Sequence, residues 1–218
     1  MARLDLTETT PRGMSPGGAA KGLLKLLLSP LITTRGPRGH VYLTFDDGPV
    51  RDYTPQILDV LDAHSVKATF FMVGVLIQRH PEIAAQVASK GHTVGYHSFL
   101  HRHARDLSLV EMIRDLKTIR NIPGWTGGRI GHYRPPYGEL TLVRLLWCLA
   151  NRTNVAMWSL ESGDSITRTP DELVLRLSPD SVRDGDVILF HDDSKVTLEA
   201  LPRILKNLGD AGFSFAAL

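Results

Sequence analysis

From residue 41 onward, short apolar runs alternate with segments whose apolar positions recur every three or four residues. The runs read as β-strands and the spaced segments as helices. Val41-Tyr42-Leu43 is a strand of β-branched and aromatic residues running towards a Gly48-Pro49 turn. Thr54 to His64 follows as a helix, with Ile57, Leu58 and Leu61 at helical spacing. Ala68 to Val73 is a buried strand, and Pro81 opens a helix that Gly91 stops. Thr93 to Tyr96 is a strand running into His97. Ser108 caps a helix to about Ile119, with Glu111 placed for a capping box. His132-Tyr133-Arg134 ends a strand, Leu140 to Asn151 is a helix, and Asn154 to Trp158 is a strand. Pro170 opens a helix with Asp171 and Glu172 near its positive end. Asp186 to Phe190 is a strand, Thr197 to Ala211 a helix broken early by Pro202, and Phe213 to Phe215 closes the series.

Such alternation implies parallel strands with helices outside. The fold class is α/β. The expected architecture is a distorted (β/α) barrel of about seven parallel strands, with an open doubly wound sheet as the second arrangement. In such a barrel, chemistry gathers at the C-terminal strand ends. Asp46, Asp47, His97, Arg134, Asp164 and His191 all fall there.

The region before the first strand differs. Residues 1–39 hold a polar Gly- and Pro-containing leader, then a leucine-rich segment over residues 22–32. That segment is too short to span a bilayer. Its long polar leader and the lack of an Ala-x-Ala site argue against a signal peptide. It reads as an amphipathic helix that caps the domain or makes peripheral membrane contact. A cytoplasmic location follows, with secretion or membrane association as the alternative. Residues 40–218 form the expected catalytic domain. The formal charge of +2, with no long basic run, excludes nucleic acid as a partner. A lone cysteine, Cys148, excludes an internal disulfide and a Cys-rich zinc site; its apolar flanks make it a buried thiol.

The candidate chemistry begins in Thr44-Phe45-Asp46-Asp47-Gly48-Pro49. Successive strand side chains face opposite ways, so a kink after Phe45 is needed for both carboxylates to reach one cleft. One carboxylate can then hold a metal while the other takes a proton. Alone, the stretch would be an ordinary solvated turn. His97-Ser98-Phe99-Leu100-His101 places two imidazoles four apart, sharing a face if the segment makes a helical turn. With Asp47 they make a two-His, one-carboxylate set with open positions for water and substrate. Nitrogen and oxygen donors suit a divalent ion, zinc first, with manganese, cobalt or iron as alternatives. Arg134, fixed by Pro135-Pro136, would hold Asp46 ionised and orient it. The N–H of Tyr137 follows two residues that lack one, leaving it for an oxyanion. His191, placed opposite the first strand of a closed barrel, would protonate a leaving amine. Leu189 offers an apolar wall for a small acyl group, and Pro136 and Tyr137 complete the expected substrate contacts. His103 reads as a surface residue, and His40, His64, His80, His92 and His132 as structural or exposed.

Thr44–Pro49, His97–His101, Arg134–Tyr137 and Leu189-Phe190-His191, in this order, resemble the motifs of the polysaccharide deacetylase family, the NodB-homology domain of carbohydrate esterases. The resemblance spans about residues 40–218 and lies nearest the chitooligosaccharide deacetylases. It implies a metal-dependent N-deacetylase acting on an N-acetylated sugar. By that likeness Asp46 is the base, and Asp47, His97 and His101 hold the metal. Arg134 orients the base, His191 is the acid, and Asp164 tunes His191. Two positions depart from the family pattern: Ser165 stands where a tryptophan is usual, and Tyr96 where asparagine is common. Hydrolysis of non-sugar amides or O-acetyl esters, and glycan binding without catalysis, are the alternative readings.

Overall fold

The computed structural model describes residues 32–119 and 130–218. The leader and nearly all of the leucine-rich segment lie outside the described residues. Among the described residues nine strands form one sheet: β1 (Ile32–Thr33), β2 (Val41–Asp46), β3 (Thr69–Met72), β4 (Thr93–Tyr96), β5 (His132–Tyr133), β6 (Asn154–Ala156), β7 (Leu160–Glu161), β8 (Val187–His191) and β9 (Phe215–Ala216). Their order is β1-β6-β5-β4-β3-β2-β8-β7, and all named pairings are parallel. The sheet curls into a half-barrel with helices around it, the distorted (β/α) barrel that alternation predicts. β1 lies inside the stretch assigned to the leader, so the sheet begins before residue 40.

The helices are α1 (Thr54–Ala63), α2 (Gly74–Arg79), α3 (Pro81–Ser89), α4 (Leu109–Thr118), α5 (Leu142–Ala150), α6 (Pro170–Arg176) and α7 (Lys195–Asp210). The α4 capping box is formed as expected, with Ser108 and Glu111 bonding reciprocally to each other's backbone N–H. Gly91 follows α3 at φ +80°, the left-handed conformation that ends helices. α2 was not foreseen, because Gly74 reads as punctuation. α7 corrects the expected break at Pro202: it starts at Lys195, capped by Ser194, and runs through the proline. Its buried face, Thr197, Ala200, Leu201, Ile204, Leu205 and Leu208, outweighs one missing backbone hydrogen bond.

β2 is buried along its whole length and is the strand the site is built on. β8 pairs with Tyr42–Asp46 along one edge, while β3 and β9 share the other. Its alternation sorts two layers. Phe45 stacks on Phe70 at 5.0 Å and on Phe190 at 5.5 Å, its in-register neighbours on β3 and β8. Burying each ring contributes on the order of 2 kcal/mol. Thr44 and Asp46 point the other way, into the mouth of the barrel, where Arg134 meets them. Phe71 faces the same side, with the Arg134 guanidinium 4.1 Å from its ring centre. Gly95 is required beside it, since a Cβ there would lie 2.5 Å from Phe71. Cys148 is buried as expected, and burial pushes its thiol up to about 12.

Candidate active site

Asp46 is the last residue of β2 and is buried. Its Oδ1 accepts from Arg134 Nη1 at 2.7 Å. The same nitrogen donates to Thr44 Oγ1 at 2.8 Å, Nε to the Ala156 carbonyl at 3.0 Å and Nη2 to the Met157 carbonyl at 2.8 Å. Four acceptors therefore fix the guanidinium that fixes the carboxylate. Burial pushes Asp46 above the ordinary carboxylate range, against the pull of Arg134 and His191. The backbone turns one residue later than the sequence suggested. Asp46 remains in the strand, and Asp47, at φ +75°, swings its side chain into the same cleft. The Asp192 N–H bonds the Asp46 carbonyl, and the Val73 N–H bonds the Gly48 carbonyl, so both sides of this turn are tied down.

His97 and His101 do not lie on a helical turn. The segment after β4 is irregular, with Ser98 at φ +66° and His101 at φ +51°. Asp115 of α4 accepts from the Phe99 N–H at 2.7 Å, and Ser98 Oγ accepts from the His101 N–H at 3.0 Å. These bonds supply the fold-back that a helix would have given. The Nε2 atoms of His97 and His101 come within 3.2 Å of each other, and lie 3.5 and 3.1 Å from Asp47 Oδ1. His97 Nδ1 sits 2.8 Å from the Arg134 carbonyl, which fixes that nitrogen as the donor and leaves Nε2 with a lone pair. Burial lowers His97 to about 3, so the ring is neutral, the form a metal requires. Asp47 Oδ1 is buried without a hydrogen-bond donor. Either a proton on His101 Nε2 or a cation among the three holds such atoms together. The donor set therefore fits a divalent ion.

His191 ends β8 and is the in-register neighbour of Asp46, rather than its opposite across a closed barrel. Asp164 Oδ1 lies 2.8 Å from His191 Nδ1, and Oδ2 accepts from the His191 N–H at 2.7 Å and from Thr197 Oγ1 at 2.6 Å. Burial works against both charges, but the hydrogen bonds outweigh it. Asp164 is held below its ordinary value and His191 is pushed up to about 9.

Asp46, Asp47, His97, His101 and His191 line one cavity of about 490 Å³, with Arg134 and Asp164 buried behind them. Tyr137, Leu189, Ser165 and Trp158 line it too. Tyr137 adopts φ +57°, and its N–H has no partner among the described residues. Pro136 was expected to contact substrate; both prolines are buried, and it is Pro135 that lines the cavity. His103 is half-buried rather than a plain surface residue: it stacks on Tyr137 at 3.6 Å and pairs with Glu139 at 3.0 Å. The Tyr96 hydroxyl donates to the Asp115 carbonyl, steadying α4 against the histidine loop. Sequence reasoning assigned no role to Glu161 or Asp192. Glu161 lines the cavity. Asp192 lies buried beneath the Gly48 turn, accepting from Thr54 Oγ1 at 2.6 Å, and burial pushes its carboxyl up to about 8. The Asp192-Asp193 pair was the available signal, but a pair of acids reads as solvated.

The family model "Polysaccharide deacetylase" matches residues 33–156. A Bacillus cereus peptidoglycan-N-acetylglucosamine deacetylase is 31% identical over 189 residues, covering 83% of this chain and 67% of its own. The crystal structure of the Bc1960 peptidoglycan N-acetylglucosamine deacetylase superposes with a TM-score of 0.82 at 29% identity, over 89% of this chain and 94% of that one. A carbohydrate esterase family 4 (CE4) pseudoenzyme from Bacillus anthracis superposes with a TM-score of 0.79 at 28% identity, over 88% and 68%. The shared fold thus includes proteins with and without activity, and activity has to be argued from the side chains.

Proposed function

The chain belongs to the polysaccharide deacetylase family, and from that membership we propose that it is a metal-dependent hydrolase releasing acetate from N-acetylglucosamine residues of a glycan. The observation that carries this reading is the convergence of Asp46, Asp47, His97, His101 and His191 on one cavity. The relatives act on peptidoglycan, so a peptidoglycan-type glycan replaces the chitooligosaccharide preference expected from the motifs. Such a polymer lies outside the cytoplasm, which favours the secreted or membrane-associated location over the cytoplasmic one.

Asp47, His97 and His101 would hold the ion, zinc by donor type, which would polarise the acyl carbonyl and acidify a water. Asp46 accepts the proton of the attacking water at Oδ2, its Oδ1 being held by Arg134. Oδ2 lies 3.6 Å from His97 Nε2, beside the ligand set. The Tyr137 N–H donates to the oxygen that gains charge as the carbonyl is attacked. His191, oriented through Nδ1 by Asp164, donates from Nε2 to the departing amine. Leu189, nearly buried on the cavity wall, receives the acyl methyl. Free amino sugar and acetate result.

Acetate release from N-acetylglucosamine oligomers, peptidoglycan and acetylated xylan, with zinc-loaded and metal-stripped protein, tests the proposal. Asp46→Asn is expected to lower kcat by roughly 10²–10⁴ while metal content is retained. Unchanged turnover in that variant would remove Asp46 from its role. Release from the xylan alone would favour the ester reading, and none from any substrate the non-catalytic one.

A further inference from the structure

We propose that the His103–Glu139 pair positions the oxyanion donor, fastening the Tyr137 turn to the loop that carries His97 and His101. The inference rests on the deacetylase reading, in which the Tyr137 N–H serves the carbonyl oxygen. Neither His103 nor Glu139 lines the cavity, so each acts through Tyr137 and not on the substrate. Glu139 uses both carboxylate oxygens. Oε1 accepts from His103 Nδ1 at 3.0 Å, and Oε2 accepts from the Ala104 N–H at 2.6 Å. The Ala104 and His103 donors hold this carboxyl below its ordinary range, so it is ionised at neutral pH. The Glu139 backbone is anchored as well, its carbonyl accepting at 2.6 Å from Nη1 of Arg144, a buried residue of α5.

Tyr137 needs such a brace. Its φ of +57° lies in the left-handed region, which a non-glycine residue keeps only where its surroundings impose it. The Gly138 and Glu139 N–H groups close back on the Pro135 and Pro136 carbonyls at 3.0 Å each, making the turn tight. The ring then decides which way the turn faces. His103 stacks on it at 3.6 Å with 14° between the planes, and His101 leans against it at 4.7 Å and 54°. A fixed ring on a residue of fixed φ leaves the Tyr137 N–H one direction. An ion pair open to solvent contributes little by itself. Here the carboxylate grips a stacked ring and a backbone N–H together, so it restrains two loops at once.

The test measures kcat and KM on an N-acetylglucosamine tetramer, zinc Kd and amide hydrogen exchange for the native chain, Glu139→Ala, Glu139→Gln and His103→Ala. Urea midpoints check folding, and if one alanine variant does not fold the other carries the same readouts. Each alanine variant is expected to lower kcat by about tenfold or more with KM unchanged, because the donor counts only once charge develops on the oxygen. Zinc Kd is expected to hold, since the Arg134 carbonyl and Ser98 Oγ fix the two metal-binding histidines independently of the pair. Glu139→Gln should recover most of the rate: its amide can accept from Ala104 and donate to the other tautomer of His103. His103→Ala should also speed exchange at Gly138 and Glu139, which lie on the opposite loop. An unmoved kcat, a zinc Kd that weakens in step with kcat, or exchange at Gly138 and Glu139 indifferent to His103→Ala overturns the proposal. Should the native chain release no acetate, the deacetylase reading fails, while hydrogen exchange still decides whether the pair holds the Tyr137 turn.

Discussion

Gly48 leaves no space for a side chain: a Cβ there would fall 2.1 Å from Asp192 Oδ2 and 2.4 Å from Oδ1. Those oxygens are not free to move, since Oδ2 holds Thr54, which in turn holds the Val50 N–H at 2.7 Å. Gly48→Ala is therefore expected to cost about 1–3 kcal/mol, read as a lowered denaturation midpoint. His191 carries a second residue-level prediction. Its folded value of about 9 lies above the ordinary 6.5, so the native state binds its proton more tightly than the unfolded chain does. That stabilisation is fully present below pH 6.5 and is lost as pH rises through about 9. If the protonated ring is the acid, kcat/KM should fall on the alkaline side near pH 9, and Asp164→Asn should move that limb to lower pH. A limb that stays put would remove Asp164 from its part. At this scale the sequence was most informative where chemistry is rare. Two acids before Gly-Pro, paired histidines and an arginine before two prolines are uncommon in loops, and the structure brings the acids and histidines to one cavity with the arginine buried behind Asp46. Glu161 escaped because a single acid has no pattern until its neighbours are known, and Asp192 because an Asp-Asp pair reads as solvated.

Elements were legible where a local rule acts by itself. The α4 capping box and the stop at Gly91 need only residues three or four apart, and both occur as read. α2 and β7 depend on distant partners: the Gly74 N–H bonds the Ser98 carbonyl, and the Ser159 N–H bonds that of Val187. The histidine loop failed as a helix for the same reason, its shape being imposed by Asp115 from α4. That link gives α4 a role at the site. Ser108→Ala removes the cap and should cost about 1 kcal/mol, measurable in urea. Asp115→Ala is expected to weaken zinc binding as well, because it frees the Phe99 N–H that shapes the loop.

Across the whole molecule, the candidate ion site joins β2 to β4, strands that flank β3 and do not pair with each other. An ion there ties two C-terminal strand ends that the backbone leaves unconnected. Zinc at about 100 times its Kd should raise stability by about 2.7 kcal/mol. Differential scanning calorimetry should show that upshift in the native chain and none in Asp47→Ala or His101→Ala. A shift of equal size in those variants would place the ion elsewhere.

Arg134 acts on the same scale, reaching from the end of β5 to oxygens on β2 and at the end of β6. It serves as a keystone, setting the base and bridging the bowl of the sheet with one group. Lysine keeps the charge but offers a point donor in place of a planar fork, so it would leave several of these oxygens unanswered. Attempts to redesign what this protein accepts must therefore leave the keystone in place and work at the rim, where Ser165, Tyr137 and Glu161 stand clear of it.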